Sequence, residues 1–427
     1  MRSLNILLSI GALLSSKGIC QAGNEQDHKG NLFSNIWERE TLTNGFLVLN
    51  DELTNKGIEI GLGVTSIYQQ NVRGGISKHR RTGRITGSYD LELSADLQKL
   101  LGIEGGSLYM LTEGSFSDGI DGPSVGSFFG VNGDARGDRS MDITELWYEQ
   151  VFADETIRLR IGKMDLTGGF EHRGCPVSFD CVTYANDETI QFLNNALINN
   201  PTIPFPEYGL GAAVHYAPTD FWYVSAAVAD AQADVRETGF RTTFYNEDYF
   251  LYIFETGVTP QLESVNGPLQ GAYRAGLWND PQPKAHSDAT ENYRDDVGFY
   301  LSCDQMLAKE NAEPEDSQGL GTFFRYGYAN SKRNDITNFW SAGFQYQGLL
   351  EGRDDDVLGV GFAHGVFSDM ASSTYPEDYE NVLELYYNAQ ISPWLNVSPS
   401  IQYIVNPGGT KGTSDAVVLG LRLQMRF

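Results

Sequence analysis

The sequence predicts an all-β protein: a transmembrane antiparallel β-barrel of about 16 strands, with a long loop folded into its lumen and a short N-terminal periplasmic segment. Three observations predict it. Apolar and polar residues alternate with a period of two in segment after segment. The segments are even in number and joined by connections that tend to alternate short and long. Beyond the first 22 residues no run approaches the 18 apolar residues that a membrane helix needs.

Taken in order, residues 1–22 read as a signal peptide. Arg2 gives the positive start, Leu4 to Leu14 the apolar core, and Cys20-Gln21-Ala22 the small residues before a cleavage site. Residues 23–56 are an N-terminal periplasmic segment or plug, with Phe46, Leu47, Leu49 and Leu53 as its apolar face. Residues 57–427 form the barrel.

Its strands are expected at 57–69, 84–97, 107–116, 143–152, 156–163, 209–217, 221–229, 248–258, 269–279, 297–307, 320–330, 338–349, 356–367, 381–391, 395–405 and 415–427. In the second, Ile85, Gly87, Tyr89, Leu91, Leu93 and Ala95 share one face, and Arg84, Thr86, Ser88, Asp90, Glu92 and Ser94 the other. Short turns such as Ala153-Asp154-Glu155, Pro218-Thr219-Asp220 and Ser392-Pro393-Trp394 mark one end. Long loops at 117–142, 164–208, 230–247, 280–296 and 368–380 mark the other. The connection 308–319 is too long for its end, which implies a slipped register there. Aromatics near strand ends (Tyr68, Phe116, Phe152, Trp340, Tyr346, Trp394, Tyr403) suit interfacial girdles. The terminal Phe427, closing an alternating strand, resembles the signal read by the outer-membrane assembly machinery.

Charge and composition exclude other classes. Lys and Arg total 30 against 56 Asp and Glu, a net charge of −26, which repels phosphate backbones and argues against nucleic acid. With 41% hydrophobic residues the chain is too apolar to be disordered. Cys175 and Cys181, six apart in an exported chain, are expected to form a disulfide, leaving Cys303 unpaired. The six His are scattered, so no metal site is read, and no cofactor. Gly122-Pro123-Ser124-Val125-Gly126 matches a nucleophile elbow only in letters, since no strand and helix flank it. No catalytic residue is assigned.

Several blocks resemble the carbohydrate-selective porins, the OprB-like family: Glu380-Asn381-Val382-Leu383-Glu384-Leu385-Tyr386-Tyr387, Ile391-Ser392-Pro393-Trp394-Leu395, Ser400 to Gly409, Glu145-Leu146-Trp147-Tyr148, Arg160-Ile161-Gly162-Lys163, Tyr273 to Trp278 and Gly319 to Arg325. The resemblance covers roughly 55 to 427, and Cys303 departs from it. It implies a sixteen-stranded channel in the outer membrane of a Gram-negative-type bacterium, passing monosaccharides or small oligosaccharides by diffusion. The partners it implies are carbohydrate solutes, outer-membrane lipid and lipopolysaccharide; self-association stays open. A general or other-solute channel is the alternative, with a barrel enzyme or a structural envelope protein behind it.

Parity assigns lumen-facing side chains, because a charge on the lipid face costs about 2–4 kcal/mol at the midplane. Arg84, Glu145, Trp147, Arg158, Arg160, Arg274, Trp278, Arg325 and Glu384 are the candidate pore lining, with Trp147 and Trp278 as sugar-stacking rings. Asp90, Glu92, Glu113, Glu149, Asp304, Gln402, Arg422 and Arg426 fall on the same side, and His215 is a lone polar group there. The segment 164–208, the third loop by strand count and the longest linker, is the expected constriction. Its helix should begin at Asn186-Asp187-Glu188 and carry Ile190, Leu193 and Leu197, ending before Pro201. Asp165, Glu171, Asp180, Asp187 and Glu188 are expected to face Arg158, Arg160 and Arg274 across the lumen. The bland alternatives are wall charges that pair among themselves and a loop that stays outside.

Overall fold

Each backbone N–H and C=O in hydrocarbon needs a protein partner, so a sheet that spans a membrane must close on itself. In the computed structural model the chain does so. The structure describes residues 35–427 apart from 48, 81, 237–240, 245–246, 286–291, 314–315 and 372; the signal peptide expected at 1–22 lies outside the described residues.

The barrel strands are β1 (Ile58–Gly75), β2 (Gly83–Asp96), β3 (Gly106–Phe116), β4 (Arg139–Phe152), β5 (Ile157–Met164), β6 (Gly209–Thr219), β7 (Trp222–Asp230), β8 (Phe250–Val258), β9 (Leu269–Asp280), β10 (Asp296–Lys309), β11 (Gly319–Tyr328), β12 (Ile336–Gln347), β13 (Val357–Phe367), β14 (Tyr379–Ser392), β15 (Leu395–Val405) and β16 (Ser414–Arg426). Neighbours in sequence pair antiparallel, and β16 returns to β1, from Gly63 opposite Arg426 to Gly75 opposite Ser414. That pairing closes a 16-stranded barrel.

The alternation read in the sequence sets the two faces. On β16, Leu419, Leu421 and Leu423 are exposed on the outside, while Val418 and Arg422 are buried within. Cys303 lies between Leu301 and Gln305 in the outward row of β10, where it acts as a small apolar side chain. The slip expected around 308–319 takes the form of a single bulge: β10 and β11 pair from Phe299–Tyr328 to Lys309–Gly319 with one shift, between Met306 and Ala308.

Residues 35–57 rest at the end that carries the short turns, on the seam between β16 and β1. Leu42 N–H donates to the Arg426 carbonyl at 2.8 Å, and Ile60 N–H to Asn50 Oδ1 at 2.9 Å. Trp37 stacks on Trp394 at 5.9 Å, whose Nε1 donates to the Ile36 carbonyl at 2.7 Å. Of the expected apolar face, Leu49 is exposed, Phe46 and Leu53 are half-buried, and the Leu47 side chain is outside the described residues.

A barrel of this size would enclose a wide aqueous space. Here apolar clusters fill much of the lumen, one built around Trp147, Phe170, Phe179, Tyr223, Trp278 and Tyr300, a second around Phe129, Phe192, Leu197, Phe323 and Phe339, and a third around Ile120, Val125, Val131 and Ile404. Phe129, Phe170, Phe179, Phe192 and Leu197 come from the inserted segments between barrel strands, not from the barrel strands.

Candidate constriction site

The third loop by strand count, residues 165–208, runs through the lumen. Asp165 caps its first turn, Leu166–Gly168, accepting from Thr167 N–H at 2.8 Å. A short hairpin follows, Phe170–His172 against Cys175–Val177. Ser178, Phe179 and Asp180 then take positive φ of 74°, 56° and 70°, reversing the chain toward the opposite wall. The helix comes later than expected. It spans only Asn195–Ile198, capped by Asn194, whose Oδ1 accepts from Ala196 N–H at 3.1 Å. The backbone N–H groups of Leu193 and Asn194, which a longer helix would have used, donate instead to Glu384 of β14, each at 2.9 Å. Asp187 closes a turn onto Thr189 rather than opening the helix.

Buried charges pin the loop. Arg325 of β11, 0% exposed, meets Asp180 at 3.0 Å and donates to the Leu197 carbonyl at 2.7 Å and Asn186 Oδ1 at 3.0 Å. Arg422 of β16 donates to the carbonyls of Glu188 and Gln191 at 2.7 and 2.8 Å. Glu255 of β8 accepts from Phe179 N–H at 2.9 Å and from the hydroxyls of Tyr223 and Tyr300 at 2.6 Å. Glycines make room where the loop docks: a Cβ at Gly327 would lie 2.0 Å from Thr202 Oγ1, and one at Gly361 2.9 Å from Leu197 and Phe192.

A second insert was not legible from its composition. Residues 117–138 also fold inward and pack on the third loop, with Gly133 N–H donating to the Leu193 carbonyl and Asn195 Nδ2 to the Phe129 carbonyl, both at 2.8 Å. Glu380 of β14 accepts from Ser127 Oγ at 2.5 Å and Phe128 N–H at 2.8 Å. The Phe128-Phe129 pair inside a Gly- and Asp-rich loop was the available signal. Ser124, at the centre of the elbow-like pentapeptide, donates to the Ser77 carbonyl at 2.8 Å and has a structural task.

Between the inserts and β2–β4 lies a small slot. Its lining includes Ser88, Glu113, Ser115, Asp134, Arg136, Asp142 and Thr144. Arg136 reaches from the second loop to Glu113 at 3.3 Å, Glu188 at 3.2 Å and the Tyr208 hydroxyl at 2.7 Å. Burial pushes the Asp134 carboxyl up to about 7 and raises Glu188 as well.

The nominated residues separate into those at the slot and those locked into the wall. Glu145 accepts from Trp147 Nε1 at 2.9 Å and Asp165 N–H at 3.1 Å, and Glu188 pairs with Arg136. Arg84 pairs with Asp118 and donates to the Gly119 carbonyl at 3.1 Å. Arg160 and Arg158 both turn to Glu149, at 3.0 and 3.8 Å, and Arg274 to Asp304 at 2.8 Å. Of the loop acids expected to face Arg158, Arg160 and Arg274, Glu171 feels Arg158 and Asp180 feels Arg274, but the close ion pairs lie elsewhere. Wall arginines take carboxylates one strand away, and Asp180 and Glu188 take Arg325 and Arg136. Glu171 lies beside Pro176 across the hairpin, with one carboxylate oxygen buried and unbonded.

Neither tryptophan offers a face to a solute. Trp278 is 1% exposed inside the apolar cluster. Trp147, 6% exposed, has Tyr109 stacked on it at 4.9 Å and the Arg160 guanidinium over its ring at 4.1 Å. Trp278→Phe is expected to leave sugar block of the channel unchanged, read as the concentration of glucose that halves conductance.

The disulfide is also corrected. Cys175 and Cys181 are free, buried thiols. Hairpin pairing with His172 turns Cys175 to the Gly271 carbonyl of the wall, 3.7 Å away, while Cys181 lies against the Thr167 carbonyl at 2.5 Å. Burial pushes both up to about 12, far from the thiolate that exchange needs. Reductant should change neither gel mobility nor conductance.

Comparison with known proteins agrees with this architecture. The chain is 24% identical to Porin B of Pseudomonas aeruginosa over 88% of its length and 89% of that protein. It is 24% identical to the putative porin QuiX of Acinetobacter baylyi, over 67% of this chain and 69% of that one. Among solved structures, the high-pH structure of Pseudomonas putida OprB matches with a TM-score of 0.76 at 20% identity, covering 91% of this chain and 99% of that one. The model of the carbohydrate-selective porin, OprB family, matches residues 80–427, and the chain belongs to that family.

Proposed function

We propose that the chain lets small carbohydrates, monosaccharides and short oligosaccharides, diffuse passively across the outer membrane through the slot between β2–β4 and the two inserted loops. The observation that carries this reading is the pinning of the third loop to wall strands on several sides of the lumen, by Glu255, Arg325, Glu384 and Arg422. A loop held by buried charged groups narrows the channel permanently instead of flickering in and out of it, and so sets a size limit. Lining hydroxyls, carboxylates and guanidinium supply donors and acceptors that replace the water around a sugar as it passes.

Swelling of proteoliposomes tests the reading. Monosaccharides are expected to enter much faster than trisaccharides of the same osmolarity. Equal rates for both would mean that the inserts do not narrow the path. No swelling with any sugar, from protein shown to be folded, would remove carbohydrate transport.

A further inference from the structure

The strand register places like charges side by side in the slot. Asp90 of β2 stands opposite Glu113 of β3, and Glu113 opposite Asp142 of β4. Two residues nearer the short turns, Glu92 and Glu145 flank Leu111 in the next row. Asp134 from the second loop lines the same cavity as Glu113 and Asp142. It is 4% exposed, and its Oδ2 has no hydrogen-bond partner.

Like charges directly opposite on neighbouring strands destabilise a sheet, so this ladder contributes nothing to folding. Two arginines line the same cavity and offset only part of it: Arg136 is shared among Glu113, Glu188 and Tyr208, and Arg139 has Glu207 at 4.0 Å. Among the described residues no group of His, Cys, Asp or Glu is arranged to hold a metal ion. An occupant that relieves several carboxylates in succession brings positive charge and several N–H donors together, which is the chemistry of an ammonium group.

We propose that the row Asp90–Glu113–Asp142, with Asp134 opposite, makes the slot select cations and favours sugars bearing a protonated amine over neutral ones. This rests on the carbohydrate-channel reading above and names the charge class of its solute. Arg136 sits among these acids as a positioning residue that holds Glu113 and Glu188 apart. Acidification through about 7 should weaken the selectivity, because Asp134 then carries a proton and no charge. Asp90, Glu113, Asp142, Glu188, Arg136, Arg139 and Tyr208 face the same space and shape that response.

The experiment is a reversal potential in a planar bilayer, first under a KCl gradient and then with glucosamine hydrochloride replacing KCl on one side. The wild-type channel is expected to prefer cations over chloride by about fivefold or more, the scale on which charged, low-dielectric clefts concentrate counter-ions. Glucosammonium should carry current, and should block potassium current at lower concentration than N-acetylglucosamine. Glu113→Gln and Asp142→Asn should each cut the cation preference about threefold, since one of the few charges focusing the field is lost. Glu351→Gln, on an exposed turn, should leave it unchanged.

A reversal potential at zero or toward chloride, in a channel that still passes glucose in the swelling assay, would overturn this inference alone. So would a cation preference untouched by both slot variants. A cation-selective channel that admits neither glucose nor glucosamine would overturn the sugar reading and this inference together.

Discussion

Arg325→Met is expected to open the channel and abolish sugar block. The arginine is sealed from water and is the shared partner of Asp180, Asn186 and the Leu197 carbonyl. Methionine fills a similar volume but leaves the Asp180 carboxylate buried without its counter-charge. Breaking a buried ion pair from one side costs about 3–5 kcal/mol, and the third loop can recover that by leaving the wall and hydrating Asp180. Conductance should rise several-fold while glucose ceases to reduce it. Asp180→Leu added to Arg325→Met removes the stranded charge, and should restore most of the wild-type conductance. A single variant indistinguishable from wild type would mean that the loop is held in place by its apolar contacts alone.

The second large effect is expected from Glu384→Ala. The wild-type carboxylate, 0% exposed, takes the N–H groups of Leu193 and Asn194, and truncation strands both. Each buried donor left unpaired costs about 1–3 kcal/mol. Local unfolding of 187–198 should follow, since the four-residue helix beyond it has little stability of its own. Chymotrypsin added to intact proteoliposomes is the readout. Phe192, fully buried in the wild type, should become a cleavage site in the variant, with the barrel itself still resistant. Protection equal to wild type would show that Glu384 does not hold the loop.

The strands were legible because one fact, a lipid outside and polar groups inside, imposes a period of two on every one of them. The same parity placed Arg325, Arg422, Glu384 and Gln402 on the inner face, where all are buried. Partners were not legible. Arg274 takes Asp304 because β9 and β10 are adjacent, and Arg325 takes Asp180 because the loop crosses to β11; neither is a spacing in the chain. The expected helix at 186 failed for a related reason. Its sequence suits a helix, but Glu384 captures the N–H groups at 193 and 194 from 191 and 190 residues away. Cys175 and Cys181 have a spacing that permits a clasp, and hairpin pairing turns one of them to the wall. The tryptophans read as free rings because nothing in the sequence reveals that Tyr109 and Arg160 cover Trp147. The acidic row across β2, β3 and β4 was half visible: Asp90 and Glu113 were placed in the lumen, but that they stand opposite each other is a matter of register.

On the proposed function, two inserts fixed to the wall by buried charges reduce a wide barrel to a narrow sugar-passing slot. Single-channel conductance of the purified wild-type protein in a planar bilayer, titrated with glucose and then with longer maltodextrins, tests it most directly. Small discrete steps that glucose reduces saturably are expected. Large steps of the size an unobstructed 16-stranded barrel would give, indifferent to every sugar, would contradict it.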